Sequence, residues 1–176
     1  MAAGCTPASF IARRTLQAPN RVPEFVKPEG RVALRWPAGL MERFPSGTNV
    51  VGEPPVPLRW VCVEPASYSL SLTSSVHREG RRTEASFRLS VRLPDHGLPV
   101  GGTPRGTIFL LHGYGVDLDT LFPWALYLGE AGWRAILVDL RGHGLSGGRT
   151  VSFGLAETND LRELRVQLER AGRVQG

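Results

Sequence analysis

The sequence predicts an α/β fold, and three observations carry that reading. Residues 107–111 and 135–140 are continuous apolar runs, as strands covered on both faces by helices must be. A helix-length stretch lies between them, with Trp124, Leu128 and Ala131 on one face, and a second follows with Leu161, Leu164 and Leu168 at helical spacing. Strand, helix, strand, helix at these lengths is a parallel crossover unit.

The elements follow in chain order. The 176 residues are 41% hydrophobic, enough for a core, but proline crowds the first third of the chain. Residues 7–16 could form a short amphipathic helix, after which Pro19, Pro23, Pro28, Pro37, Pro45, Pro54, Pro55 and Pro57 break regular structure. Residues 1–65 are therefore expected to be a proline-rich arm or tether. Tyr68, Leu70 and Leu72 alternate with serines, and Ala85, Phe87, Leu89, Val91 and Leu93 alternate with polar residues. Residues 77–81 supply a polar, glycine-containing turn between them, so an antiparallel hairpin is expected. A loop spans 94–104. The first helix is expected to begin at 120–123, with Pro123 in its first turn and Gly132 as its C-terminal cap. The second is expected to begin at 158–160, Asp160 and Glu163 forming a capping box and Ala171-Gly172 ending it.

Charge excludes one class of partner by its distribution. The net charge is +5, but the balance is +4 over residues 1–60, +2 over 61–106 and −1 over 107–176, and 20 of the 21 basic residues are arginine. That pattern fits a compositional bias better than a phosphate-binding surface, so no nucleic-acid partner is expected. Cys5 and Cys62 are too few for a disulfide framework and have no metal-ligand spacing. Cys62 fits a small buried apolar position. Cys5 ends a Met-Ala-Ala-Gly-Cys stretch resembling a bacterial lipoprotein cleavage site without its preceding charged and apolar regions. Were the true start further upstream, Cys5 would be a lipidation site and the protein would be anchored in the cell envelope. Otherwise the location would be cytoplasmic.

The chemistry lies between residues 106 and 146. The apolar strand runs into His112-Gly113-Tyr114-Gly115, and Asp139-Leu-Arg141-Gly142-His143-Gly144-Leu-Ser146 follows about two dozen residues later. A strand ending in His-Gly-x-Gly can bring backbone N–H groups to a substrate carbonyl, where they stabilise a tetrahedral oxyanion. The same turn could instead be a tight connection whose glycines supply special backbone angles.

Together these segments resemble the α/β-hydrolase family, in particular its monoacylglycerol-lipase, lysophospholipase and serine-aminopeptidase-like branch. The resemblance covers roughly residues 66–172. It implies the N-terminal part of an α/β-hydrolase fold with an incomplete sheet, ending before the nucleophile elbow. It also implies a serine hydrolase acting on esters such as acylglycerols or lysophospholipids, without a cofactor or metal. Tyr114 would donate its backbone N–H to the oxyanion, from a loop formed with His112, Gly113 and Gly115. Asp139, Arg141, Gly142, His143, Gly144 and Ser146 would form a structural loop. Gly144 to Gly148 satisfies G-x-S-x-G, yet Ser146 does not stand between a strand and a helix as an elbow requires.

The nucleophile, acid and base are therefore expected beyond Gly176, the last residue of the sequence. With no triad member of its own, the chain alone is expected to be inert. The resemblance places the nucleophile-bearing strand beside 107–111, and without that neighbour the strand at 107–111 would be an exposed apolar edge. The competing expectation is a non-catalytic binding or assembly module that uses this open edge.

Overall fold

The computed structural model describes residues 16–19, 39–79, 82–92 and 103–174. Among the described residues six strands and two α-helices follow one another as β1 (Ser46–Val51), β2 (Val56–Val63), β3 (Ser69–Glu79), β4 (Arg82–Arg92), β5 (Thr107–Leu111), α1 (Phe122–Glu130), β6 (Arg134–Val138) and α2 (Leu155–Arg170). Single 3-10 turns occupy Met41–Arg43 and Leu118–Leu121. A mixed four-stranded sheet has the order β1-β2-β6-β5. Its β1–β2 and β2–β6 pairs are antiparallel, and β5 runs parallel to β6 across the α1 crossover.

Two apolar layers explain the continuous runs. Along β2 and β6, Val61, Val63, Ala135 and Leu137 join Phe44, Leu118, Phe122, Ala125 and Leu126 on the α1 side. Trp60, Cys62, Ile136 and Val138 join Val51, Leu58, Leu164 and Leu168 on the α2 side. Successive strand residues point to opposite faces, so a strand sandwiched between helices is apolar at every position. β5 is different. It forms the sheet edge opposite β1, and its five side chains are only partly buried or exposed. The sheet is open on that side.

The hairpin forms as expected, with Ser69 opposite Arg92 and Glu79 opposite Arg82, as a two-stranded sheet of its own. Its tip, nearly all of the expected helix at 7–16, Cys5 and most of the 94–104 loop lie outside the described residues. So does Gly176, the position after which the triad is expected, since the description ends at Val174 in the segment that follows α2. Among the described residues no helix is long and apolar enough to cross a membrane.

Three expectations are corrected. Residues 46–63 are not arm or tether: they form β1 and β2, and β2 lies inside the sheet. Proline misleads here because Pro54 and Pro55 sit in the turn between the strands. Pro57 lies in the part of β2 that precedes its pairing with β6, which starts only at Trp60, so the missing N–H breaks no ladder there. Second, the buried face of α1 is Phe122, Ala125, Leu126 and Gly129, whereas Trp124 is 63% exposed. Gly129 sets that rotation by letting the Tyr68 ring and the Glu64 carbonyl approach the helix. Third, α2 starts at Leu155, and Glu157 is its capping carboxylate. Glu157 accepts the N–H groups of Ser152 and Gly154, both at 2.8 Å.

Both helices end as expected. The Gly132 N–H donates to Gly129 and the Trp133 N–H to Leu128, and Gly172 and Arg173 repeat the pattern onto Glu169 and Leu168. These are paired Schellman caps, with Gly132 at φ +87° and Gly172 at φ +69°.

The Gly129 contact gives a test. A Cβ there would stand 2.7 Å from the Tyr68 ring and 3.1 Å from the Glu64 carbonyl oxygen. Gly129→Ala is expected to lower stability by about 1–3 kcal/mol through overpacking, read as a lower urea midpoint at unchanged slope.

Candidate active site

The site stands at the C-terminal ends of the parallel strands β5 and β6, where two loops meet on one buried carboxylate. Asp139 follows β6 directly and is fully buried. Its Oδ1 accepts the Leu118 N–H at 2.9 Å and its Oδ2 the Leu145 N–H at 3.0 Å. The Arg59 guanidinium lies 3.5 Å from Oδ2. A buried carboxylate is stable only when donors meet its oxygens, and here each donor comes from a different segment. A Cβ on Gly144 would lie within 2.4 Å of the carboxylate carbon, so glycine is required at that position, which has φ +47°.

The turn after β5 is tied down through His112. Its Nε2 accepts the Leu140 N–H at 3.0 Å. An amide nitrogen only donates, so the ring proton sits on Nδ1 and is donated to the Gly113 carbonyl at 2.9 Å. Both nitrogens are thus engaged, and Nε2 joins the end of β5 to the end of β6. Gly115 has φ +81°, which explains its glycine by backbone angle. Gly113 does not share that angle, contrary to the sequence-based alternative. An added Cβ there would meet nothing within 4 Å, because the residue faces open space.

Tyr114 stands between these glycines with 52% of its surface exposed. Its ring lies edge-on to His143 at 5.7 Å between centroids and stacks on Phe153 at 5.6 Å. Among the described residues nothing accepts its backbone N–H. A cleft of about 420 Å³ opens beside it, walled by Leu111, Gly113, Val151, Phe153 and Leu161, with Glu157 and Thr158 as polar members.

His143 lines the same cleft but is 4% exposed. Its Nδ1 is 3.0 Å from the Arg141 carbonyl, a pure acceptor, so that nitrogen carries the proton. Nε2 is then a bare, buried lone pair without a partner among the described residues. Burial lowers the pKa of the ring below its ordinary value, and the ring is neutral.

Ser146 is buried, and its hydroxyl donates to the Asp139 carbonyl at 2.6 Å and accepts the Arg59 N–H at 2.9 Å. Arg141 is also buried and grips Asp160 of α2 bidentately, Nε to Oδ2 at 2.6 Å and NH2 to Oδ1 at 2.7 Å. Asp160, expected to cap the helix, instead pairs with this loop. Glycine at 142 gives room to Ala18, since a Cβ there would stand 2.7 Å from the Ala18 methyl.

Cys62 is buried in β2, and desolvation, followed by the nearby Glu64 charge, pushes its thiol up to about 12, which leaves it no nucleophilic role. Among the described residues no group of three His, Cys, Asp or Glu side chains is placed to hold a metal ion.

Sequence reasoning missed Arg59, Phe153, Glu157 and the Gln17-Ala18 segment. Phe153 has φ +52°, a strained angle for a bulky residue, and its spacing carries no signal. Glu157 could have been found, because Gly154-x-x-Glu157 has the three-residue spacing of a capping box.

The comparisons with known proteins fall on this same region. Residues 102–163 match the family described as Serine aminopeptidase, S33, an α/β-hydrolase family. The chain is 40% identical over 63 residues to the Bacillus subtilis (strain 168) protein named "Uncharacterized protein YqkD". The match covers 35% of this chain and spans a fifth of that protein's length. No solved structure matches.

The buried neutral ring of His143 has a pH signature. Its folded pKa is lowered below the ordinary 6.5, so the unfolded chain binds the extra proton first. The ring's contribution is therefore fully present above about pH 7.5 and is lost as pH falls through 6.5 toward the lowered value. Urea midpoints are expected to drop between pH 7.5 and 5.5, above the carboxylate range, and His143→Gln is expected to flatten that drop.

Proposed function

We propose, from the premise that residues 102–163 are an α/β-hydrolase segment, that this chain supplies the oxyanion-binding half of a serine hydrolase site for carboxylic esters. One observation carries the reading: the Tyr114 N–H is unclaimed among the described residues, in a turn at the C-terminal end of β5, beside an apolar cleft. A backbone donor held in that way stabilises charge that develops on a carbonyl oxygen during attack, without reorganising at the moment of reaction. The walls of Leu111, Val151, Phe153 and Leu161 suit an acyl chain or another apolar ester substituent.

In such a site a serine, deprotonated by a histidine that a carboxylate orients, attacks the ester carbonyl, and water then releases the acyl group. The geometry argues against those three roles for Ser146, His112 and Asp139. The Ser146 hydroxyl is locked between Asp139 and Arg59, both nitrogens of His112 are bonded, and Asp139 holds loops instead of a histidine. The proposal therefore assigns the nucleophile, base and acid to residues of the hydrolase beyond Gly176, and the 176 residues alone act as scaffold and oxyanion donor.

A second reading has its own observation, the open β5 edge, which would pair with a strand from another molecule. Concentration-dependent assembly of an inert but stable chain would favour it.

Two measurements test the hydrolase reading. The 176-residue chain is expected to resist labelling by a fluorophosphonate probe and to leave p-nitrophenyl esters unhydrolysed, and labelling at Ser146 would overturn the assignment. In the product of the gene expressed with its flanking coding sequence, Tyr114→Pro removes the donor. It is expected to lower kcat for monoacylglycerol or p-nitrophenyl esters by about 100–1000-fold with little change in KM.

A further inference from the structure

The segment around Gln17 lies far upstream of the sheet in sequence, yet it returns to the C-terminal ends of β5 and β6. Gln17 pairs antiparallel with Thr150. The Ala18 N–H donates to the Arg149 carbonyl at 3.2 Å, and the Val151 N–H donates to the Leu16 carbonyl at 2.9 Å. Ala18 is fully buried and fills the space left by the missing side chain of Gly142. From this fixed position the Gln17 carbonyl accepts the Tyr114 hydroxyl at 3.3 Å.

Tyr114 is therefore held at both ends of its side chain. The hydroxyl is anchored on residues 16–19, and the ring leans on His143 and stacks on Phe153. A side chain pinned at its far end restrains the backbone from which it springs, and that backbone carries the N–H beside the cleft. Gly113 and Gly115 flank it, so beyond the His112 bonds the turn has little stiffness of its own.

We infer that residues 16–19 are a strap that positions the oxyanion turn through Tyr114, with the Gln17 backbone and the small side chain of Ala18 as positioning groups. The inference rests on the reading of the Tyr114 N–H as oxyanion donor. It assigns a site role to a stretch that the sequence offers only as arm or tether. It also gives a reason for tyrosine at 114, where the backbone N–H alone could come from any residue but proline.

The test uses nitrogen-15 NMR on the whole chain and needs no catalysis, so its failure is distinguishable from failure of the hydrolase reading. Order parameters of the Gly113, Tyr114 and Gly115 amides report the turn, exchange at the Ala18 and Val151 amides reports strap docking, and the Ile136 amide reports the fold. The wild-type turn is expected near the rigid value of about 0.85. Ala18→Glu cannot fit beneath Gly142. It is expected to speed exchange at Val151 about tenfold, the effect of losing one or two net hydrogen bonds, and to drop the turn below about 0.6, with Ile136 unchanged. Ala18→Gly keeps the N–H but removes the methyl that fills the space at Gly142, and is expected to loosen the strap less than Ala18→Glu. Tyr114→Phe removes only the hydroxyl and is expected to loosen the turn while the Phe153 stack stays, and it decides the question if Ala18→Glu also raises exchange at Ile136. A turn that keeps its order in Tyr114→Phe, or a strap that undocks without loosening the turn, would overturn the inference, as would unchanged Val151 exchange in Ala18→Glu.

Discussion

A single buried carboxylate organises the functional end of this sheet. Taking Asp139 out of water costs several kcal/mol unless its oxygens are met by donors, so the surrounding backbone is constrained to supply them. The Leu118 N–H comes from the segment after the β5 turn, the Leu145 N–H from the loop after β6, and the Arg59 guanidinium from β2. The same residue's backbone carbonyl takes the Ser146 hydroxyl. One side chain therefore fixes two loops against each other, and the turn carrying Tyr114 inherits its position from that arrangement.

A second buried charge extends the framework outward. Arg141, two residues beyond Asp139, is clamped by Asp160 of α2, and its pKa is raised by that hydrogen-bonded partner. The pair locks the loop to the helix, while Gly52 in the β1–β2 turn leaves room for the Asp160 carboxylate. At the start of α2, Glu157 collects the Ser152 and Gly154 N–H groups, and these hydrogen bonds lower its pKa despite burial. Phe153 lies between those two donors, held at its strained angle, which the surrounding bonds over-determine. The aromatic stack on Tyr114 is thus a consequence of helix capping on one side and the Asp139 hub on the other.

The open edge and the site are two aspects of one geometry. β5 has β6 on one side, and among the described residues no strand pairs with its other side, so the cleft beside Tyr114 lies at the end of an edge strand. An edge strand has backbone groups free to accept a further strand, and the cleft walls Leu111 and Leu161 leave apolar surface beside it. A strand added there would bury that surface and come close to the turn that carries Tyr114.

What the sequence by itself determined was local. The apolar runs at 107–111 and 135–138, the Ala-Gly helix ends, the hairpin alternation and the His112 to Gly115 turn are written in adjacent residues. Their causes act over a few positions, such as burial of 135–138 on two faces and a left-handed glycine cap. Tertiary structure decided everything whose cause lies far away along the chain. Pro54, Pro55 and Pro57 argue against strands until β2 finds β6, which supplies the core that offsets their cost. Asp160 looks like a cap until Arg141, 19 residues earlier, claims it. The buried face of α1 depends on Tyr68 and Glu64 meeting Gly129, and Ala18 becomes part of the site only because Gly142 leaves it a place. Spacing cannot encode these contacts, because each depends on two distant segments being brought together by the burial of a core between them.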